Sequence, residues 1–253
     1  MFRIPAYLRR IGYGGPLEPC IETLRALQVA HLLAVPFENL DIHLGRPIVL
    51  DEAALYRKIV ELRRGGFCYE LNGLFAALLR GLGFRVTLLS AGVARESGGF
   101  GPEFDHLTLR VDLEQAWLAD VGFGDSFREP LLLDGGTEQG DYRIRRDCEC
   151  RTLLRHRDDE GWREQYRFTL EPHQLPDYAN MCRHHQTSPE SSFTRRRLCT
   201  LATTEGRITL SDLRFIVTER GQISERTLSG EEEYTAVLRE KFGICLRLGP
   251  APS

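Results

Sequence analysis

Residues 63–72 read Arg63-Arg64-Gly65-Gly66-Phe67-Cys68-Tyr69-Glu70-Leu71-Asn72. Two glycines lead into a cysteine, and an amphipathic stretch follows. Leu71, Leu74, Phe75, Leu78, Leu79 and Leu82 recur at the three- and four-residue spacing of one helix face, and Gly81 and Gly83 punctuate its end. The spacing predicts a helix from Tyr69 to Leu82 with Cys68 at its amino end. A thiol there sits at the positive end of the helix dipole, which stabilises the thiolate and lowers the pKa from ~8.5. The unbonded amides of the first turn point at the same place and can donate to an oxyanion formed on an acyl group bound to the sulfur. Glycines let a ligand approach the backbone closely. A free cysteine also serves as a small buried hydrophobe, so Cys68 reads as a nucleophile only if partners are found for it.

Upstream, the chain reads as helical. Leu24, Leu27, Ala30, His31 and Ala34 mark one helix face, which ends at Val35-Pro36 because proline disfavours helix in the residue before it. Leu50 to Leu62 predicts a second helix with Asp51 as its N-cap. Downstream of residue 84 the period changes. FRVTLLSAGV, HLTLRVDL and WLADVGF read as strands, and Leu107, Leu109 and Val111 alternate with Thr108 and Arg110 as in a half-buried strand. Asp134 to Gly140 reads as a loop and Trp162 to Leu170 as another strand. GRITLSDLRFIVT reads as strand, turn and strand. SGEEEYTAVLREKFG reads as a helix with Ser229 as N-cap, Glu232 at N3 and Gly243 closing it.

A nucleophilic cysteine needs a base and a group to orient that base. His106 opens one predicted strand and Asp120 closes the next, with a turn near Leu113 to Gln115 between them. Both then lie at the open end of one hairpin, whose strands are ~4.8 Å apart. Asp120 bonded to one ring nitrogen fixes the tautomer and leaves the other nitrogen for sulfur. Taken singly, His106 as a solvent-facing histidine and Asp120 as a turn cap are the alternatives; together with Cys68 they read as a triad.

These segments resemble the arylamine N-acetyltransferase family over nearly the whole chain. YLRRIG and Val35-Pro36-Phe37-Glu38-Asn39-Leu40 are similar to its opening segments, RRGGFCYELN to its nucleophile motif, HLTL to its histidine motif, and ADVGFG to its aspartate motif. GRITL and KFGI fit as well. The resemblance implies an α+β fold with a papain-like, cysteine-protease-like core: a helical bundle over residues 1–84 carrying Cys68, an antiparallel β-barrel over 85–196 carrying His106 and Asp120, and an α/β lid over 197–253. It implies ping-pong transfer of acetyl from acetyl-CoA, through a Cys68 thioester, to an aromatic amine, hydroxylamine or hydrazine, as in xenobiotic metabolism. It makes Phe37, Phe123 and, more loosely, Phe193 the walls of the acceptor pocket, with plain core phenylalanine as the other reading of Phe37 and Phe123. Tyr69 and Gly124 become supports of the oxyanion loop, Arg64 and Glu38 an ion pair bracing the nucleophile, and Asn72 a partner of the triad. Asp105, beside His106, departs from the family pattern. An amide synthase closing polyketide macrolactams keeps the same triad, as does a papain-like peptidase or transglutaminase-type enzyme.

Composition fits this reading. The chain has 253 residues, 42% apolar and 27% charged, enough for a sizeable core without disulfide staples. A net charge of -3 shows no basic excess for nucleic acid. No stretch approaches the ~18 apolar residues of a membrane helix, and no secretory signal opens the sequence. Seven cysteines without a framework spacing indicate reduced thiols in the cytoplasm. Cys148-x-Cys150 lacks a partner pair for zinc. Cys182 with His184 and His185, in a predicted loop, reads as solvated, and no metal is expected. Arg195-Arg196-Arg197 reads as a solvated face. Gly12 to Gly15 lacks the lysine of a nucleotide loop.

Overall fold

The computed structural model describes residues 2–134, 136–158 and 161–246. Gly135 of the predicted loop and residues 247–253 of the expected lid lie outside them.

The first helices are α1 (Ile4–Arg10), α2 (Ile21–Ala34), α3 (Leu40–His43), α4 (Glu52–Tyr56) and α5 (Cys68–Gly81). α2 stops where the sequence says it must: Val35 is extended at φ -116°, ψ 113°, ahead of Pro36. Asp51 caps α4, accepting from the amides of Ala53 and Ala54. α4 then continues as a π turn over Arg57–Glu61. α5 is the pivot. Its Leu71, Leu74, Leu78 and Leu79 are fully buried in a core shared with Leu24 and Leu27 of α2.

A seven-stranded antiparallel sheet follows, built from β2 (Arg85–Val93), β3 (His106–Asp112), β4 (Ala116–Ala119), β5 (Leu131–Leu132), β6 (Tyr142–Asp147), β7 (Cys150–Arg157) and β8 (Gly161–Phe168), in the order β5-β4-β3-β2-β8-β7-β6. The sheet curls on itself into a barrel-like shape. Leu118 and Leu131 from one end share a core with Tyr142 and Ile144 from the other, and the rings of Phe127 and Tyr142 lie 5.8 Å apart. The curl explains a departure from the expected half-buried β3. Leu107, Leu109 and Val111 pack on the helical core, but Thr108 is also fully buried, because the opposite face looks into the barrel rather than into water.

The second sheet runs β1-β9-β10-β11-β12, from β1 (Phe37–Glu38), β9 (Leu198–Thr203), β10 (Gly206–Ser211), β11 (Arg214–Glu219) and β12 (Gln222–Thr227). β1 comes from the helical region, so Phe37 pairs with Thr200 of the last unit while also bridging Gly66 beside the nucleophile. α6 (Ala179–Thr187) and α7 (Ser192–Arg195) precede this sheet. Tyr178 and Cys182 from that stretch pack in the helical core, although the expected boundary at 196 puts them with the β unit. α8 (Glu231–Phe242) covers the sheet through Tyr234, Val237 and Leu238. Its cap lies one residue later than expected. Gly230 is the N-cap, and the Ser229 amide and hydroxyl donate to Glu233, not Glu232, at 2.7 and 2.9 Å. Gly243 closes α8 at φ +68°. Arg197, expected in solvent, pairs bidentately with Glu231 and ties β9 to α8.

Candidate active site

Cys68 is the first residue of α5. Phe67 before it is extended, its amide donating to Glu70 Oε2 at 3.1 Å, and the helical bonding begins with Glu70 N–H to Phe67 O at 3.0 Å. The amides of Cys68 and Tyr69 therefore precede the first turn's bonds and face the end of the helix. Gly65 and Gly66 are required by proximity: a Cβ on Gly65 would overlap the Pro36 carbonyl, and one on Gly66 would stand 2.7 Å from Glu70 Oε2.

The thiol is 3% exposed. Burial pushes its pKa well up, and the nearby Cys182, Asp120 and Asp105 add to this, while the Leu107 amide works against it. This corrects the expectation from the helix dipole alone. Half a unit charge at a helix end does not offset desolvation of a thiolate in a dry site.

His106 begins β3, opposite Ala91 of β2. Asp120 follows the last β3–β4 pair, Leu109 with Ala119, and the chain then leaves the sheet, so the predicted strand WLADVGF ends early. His106 Nε2 donates to Asp120 Oδ2 at 2.7 Å, which directs Nδ1 away from the carboxylate. Asp120 is fully enclosed by donors: Asn72 Nδ2 and the Gly122 amide reach Oδ1 at 2.8 Å each, and the Tyr166 hydroxyl reaches Oδ2 at 3.1 Å. Burial alone would raise its pKa. The adjacent His106 and these hydrogen bonds outweigh it and hold the carboxyl below its ordinary range. Asn72 also accepts from the Val121 amide and donates to the Leu107 carbonyl, so one side chain on α5 locks β3 to the aspartate loop.

A second buried network braces the nucleophile from behind. Arg64 reaches Glu38 at 2.8 Å and Asp41 at 3.0 Å, and Lys58 reaches Asp41 and Glu70 at 2.8 Å each. The Glu38–Arg64 pair is as expected. Burial alone would pull Lys58 down, but the carboxylates of Glu70, Glu38 and Asp41 raise its pKa above the ordinary lysine value. Tyr69 turns its hydroxyl to the Phe104 carbonyl at 2.6 Å, holding the loop that enters β3. Asp105, the departure from the family pattern beside His106, is tied to His185 at 3.1 Å and to the Val93 amide.

Cys68 and His106 open onto one cavity of about 580 Å³, a size suited to a small ligand. Phe37, Phe123 and Phe193 line it, as does Gly124. Phe193 sits 6.1 Å from Phe37 and 5.7 Å from Phe67, ring to ring, and Phe123 lies 5.1 Å from His106. The predicted site residues thus come together from the first two of the three expected regions, and Thr200 and Arg207 of the third line the same cavity.

A sequence model of an N-acetyltransferase family matches residues 20–249. The arylamine N-acetyltransferase of Escherichia coli is 36% identical, over 94% of this chain and 87% of its own length. The chain belongs to the arylamine N-acetyltransferase family. It is an acetyltransferase, and its α+β architecture is the family's. The Salmonella typhimurium enzyme superposes with a TM-score of 0.90 at 33% identity, covering 95% of this chain and 90% of that one. The Mycobacterium marinum enzyme, solved in complex with CoA, superposes at 0.88 and 31% identity, over 96% and 93% of the two chains. Proansamycin X synthase of Amycolatopsis mediterranei is 31% identical over 94% of this chain and 96% of its own length.

Several site residues escape sequence reasoning. Tyr166 lies in β8, distant in sequence from the hairpin. Gln28 on α2 accepts from the Asp120 amide at 3.2 Å. Lys58 and Asp41 carry no motif; Glu70 lies in the RRGGFCYELN segment at N3 of α5, a capping position, but its pairing with Lys58 is not legible there. His185, read as solvated in a loop, is on α6 and buried, with Nδ1 3.2 Å from the Ser191 hydroxyl. Among the described residues no group of three or more His, Cys, Asp or Glu is placed to hold a metal. No helix among them is long and apolar enough to cross a membrane.

Proposed function

We propose that this chain acetylates aromatic amines, hydroxylamines or hydrazines from acetyl-CoA by a ping-pong mechanism through a Cys68 thioester. The observation that carries the reading is the shared cavity of Cys68 and His106, with His106 held at 2.7 Å by a fully buried Asp120. Asp120 accepts the hydrogen bond from Nε2–H and so fixes the tautomer, which leaves Nδ1 as the free base. As acetyl-CoA enters, the Cys68 proton passes to His106 and the sulfur attacks the acetyl carbon. The amides of Cys68 and Tyr69, with the Gly124 loop as support, are the donors nearest the developing oxyanion. The tetrahedral intermediate collapses, the carbon–sulfur bond to CoA breaks, and His106 returns its proton to the departing thiolate. The amine then attacks the Cys68 thioester. Its proton passes to His106 and on to the Cys68 sulfur as the acetylated product leaves.

Stacking an aromatic ring among Phe37, Phe123 and Phe193 places its amino group toward the thioester. The free state of all seven cysteines suits a reducing cytoplasm. The test is intact-protein mass after mixing with acetyl-CoA alone. An acetyl group mapped to Cys68, and removed by an aromatic amine or hydrazine, supports the reading. No adduct, with Cys68 still alkylating readily, overturns acetyl-CoA as donor. The likeness to proansamycin X synthase makes a polyketide thioester the next donor to try.

A further inference from the structure

We propose that Arg207, on the face of the cavity built by the second sheet, is an oxyanion subsite that reads a negatively charged group on a substrate. This rests on the acyl-transfer reading above. Arg207 and Asp125 both line the cavity that holds Cys68. Gly122 packs on Cys68, Gly124 packs on both Phe37 and Thr200, and Arg207 Nη1 donates to Thr200 Oγ1 at 3.1 Å.

The charge here is not balanced. Arg207 Nε lies 3.3 Å from Asp125 Oδ1, but Asp125 also serves Arg155, whose Nη1 donates to Oδ2 at 3.0 Å. A third guanidinium, Arg128, is fixed on the turn beside Arg207 through the carbonyls of Thr204 and Gly206. Asp125 is therefore shared between Arg207 and Arg155, with Arg157 also near it and Arg128 beside Arg207. The side chain of Arg207 is only 16% exposed, and its Nη2 has no acceptor among the described residues. Burial together with Arg128 and Arg155 pulls its pKa below the usual arginine value, while Asp125 restores only part of it. A mostly buried, under-neutralised guanidinium with donors facing a cavity selects an oxyanion.

Two substrates of the reaction can bring one: a carboxylate on the aromatic acceptor, or a phosphate of the CoA donor. The test is Arg207→Gln measured on two matched pairs. The acceptor pair is 4-aminobenzoate and 4-aminobenzamide, with pre-acetylated enzyme. The donor pair is acetyl-CoA and S-acetylpantetheine, followed as the rate of Cys68 acetylation. A kcat/KM loss about tenfold greater for 4-aminobenzoate than for its amide assigns the subsite to the acceptor. The same selective loss for acetyl-CoA assigns it to the donor. Equal losses in both pairs, or none, overturn the proposal. Arg207→Lys should recover part of the selectivity, and Asp125→Asn should shift selectivity the other way, toward the charged member, which keeps the test decisive if the Gln variant folds poorly. If the wild-type protein forms no Cys68 adduct, the functional reading has failed. The subsite is then judged by calorimetric binding of CoA against pantetheine, and of 4-aminobenzoate against its amide, in both proteins.

Discussion

The Tyr166 hydroxyl donates to Asp120 Oδ2 at 3.1 Å, the same oxygen that His106 Nε2 reaches at 2.7 Å. Tyr166 is therefore a positioning residue for the base: its ring also stands 5.0 Å from His106 and 5.1 Å from Phe123. Tyr166→Phe keeps the ring and removes one of the donors to Asp120, at a cost of about 1 kcal/mol. The expected result is a severalfold slower Cys68 acetylation with an unchanged melting temperature to within a few degrees. A rate equal to wild type would mean that His106 and Asn72 hold Asp120 unaided.

Gly122 touches the nucleophile directly. A Cβ there would lie 2.7 Å from Asn72 Nδ2, 2.8 Å from the Cys68 Cα and 3.0 Å from the Cys68 carbonyl oxygen. Two of those atoms are backbone and cannot swing aside. Gly122→Ala should cost about 1–3 kcal/mol of stability by overpacking and push the amino end of α5 away from the aspartate loop. Denaturant unfolding and single-turnover acetylation should both fall. Full activity in the variant would show that Cys68 and Asp120 tolerate separation.

Lys58 neutralises Glu70, which in turn holds the Phe67 amide next to the nucleophile. Lys58→Gln leaves three carboxylates against Arg64 and the more exposed Arg46, 4.0 Å from Asp41, and should destabilise the fold by about 3 kcal/mol, the cost of breaking a buried pair. Lys58→Gln with Glu70→Gln should recover most of it. The balance of two buried cations against three carboxylates becomes one against two, with Arg46 at the rim unchanged, and a Gln at position 70 still accepts from Phe67. Urea unfolding of the two singles and the double completes the cycle. Simple additivity would show that the two residues are not coupled.

His31 and Glu70 set opposing pH responses. His31 is fully buried, with the Tyr7 hydroxyl 2.9 Å from Nδ1, and burial and the nearby Arg10 pull its pKa down from 6.5 to about 3. The unfolded chain takes up that proton below 6.5 and the folded chain does not, so its contribution to stability falls as pH drops from 6.5 to about 3. Burial raises Glu70 from 4.5 to about 6, against the pull of Lys58. There the folded state holds the proton that the unfolded state has lost, so stability rises as pH drops through that window. Glu70→Gln removes the second effect. Relative to wild type, the variant should lose about 0.9 kcal/mol more stability between about pH 6 and about pH 5, read from urea midpoints. Equal losses in the two proteins would refute the assignment.

Local physics made much of this protein legible in its sequence. α2 ends at Val35 because Pro36 forbids more helix, Asp51 caps α4 through its own side chain, and the leucine spacing after Cys68 defines α5. His106 and Asp120 could be placed at one end of a hairpin because a turn between two short strands fixes which ends meet. Each of these depends on residues within a turn or two of one another, where spacing alone carries the information.

What the sequence left open is what burial and long-range contact decide. The cap of α8 moved from Ser229 to Gly230, one residue beyond the reach of pattern reading. The thiol of Cys68 is raised rather than lowered, because burial outweighs the Leu107 amide and the charges of Asp120 and Asp105 add to it, and no local motif encodes that enclosure. Tyr166, Gln28 and Arg207 reach the cavity or the triad from β8, α2 and β10, far away in the chain. Their roles exist only because the sheet curls and β1 pairs with β9, bringing Phe37, Thr200 and Gly66 to one place. The place of Cys68 at the head of α5, the meeting of His106 and Asp120 at one hairpin end and the order of the helices were thus determined by residue type and spacing. The protonation of the thiol, the brace behind it and the charge facing the cavity were decided by tertiary packing, because electrostatic free energy depends on distance and solvent exposure, and a linear sequence states neither.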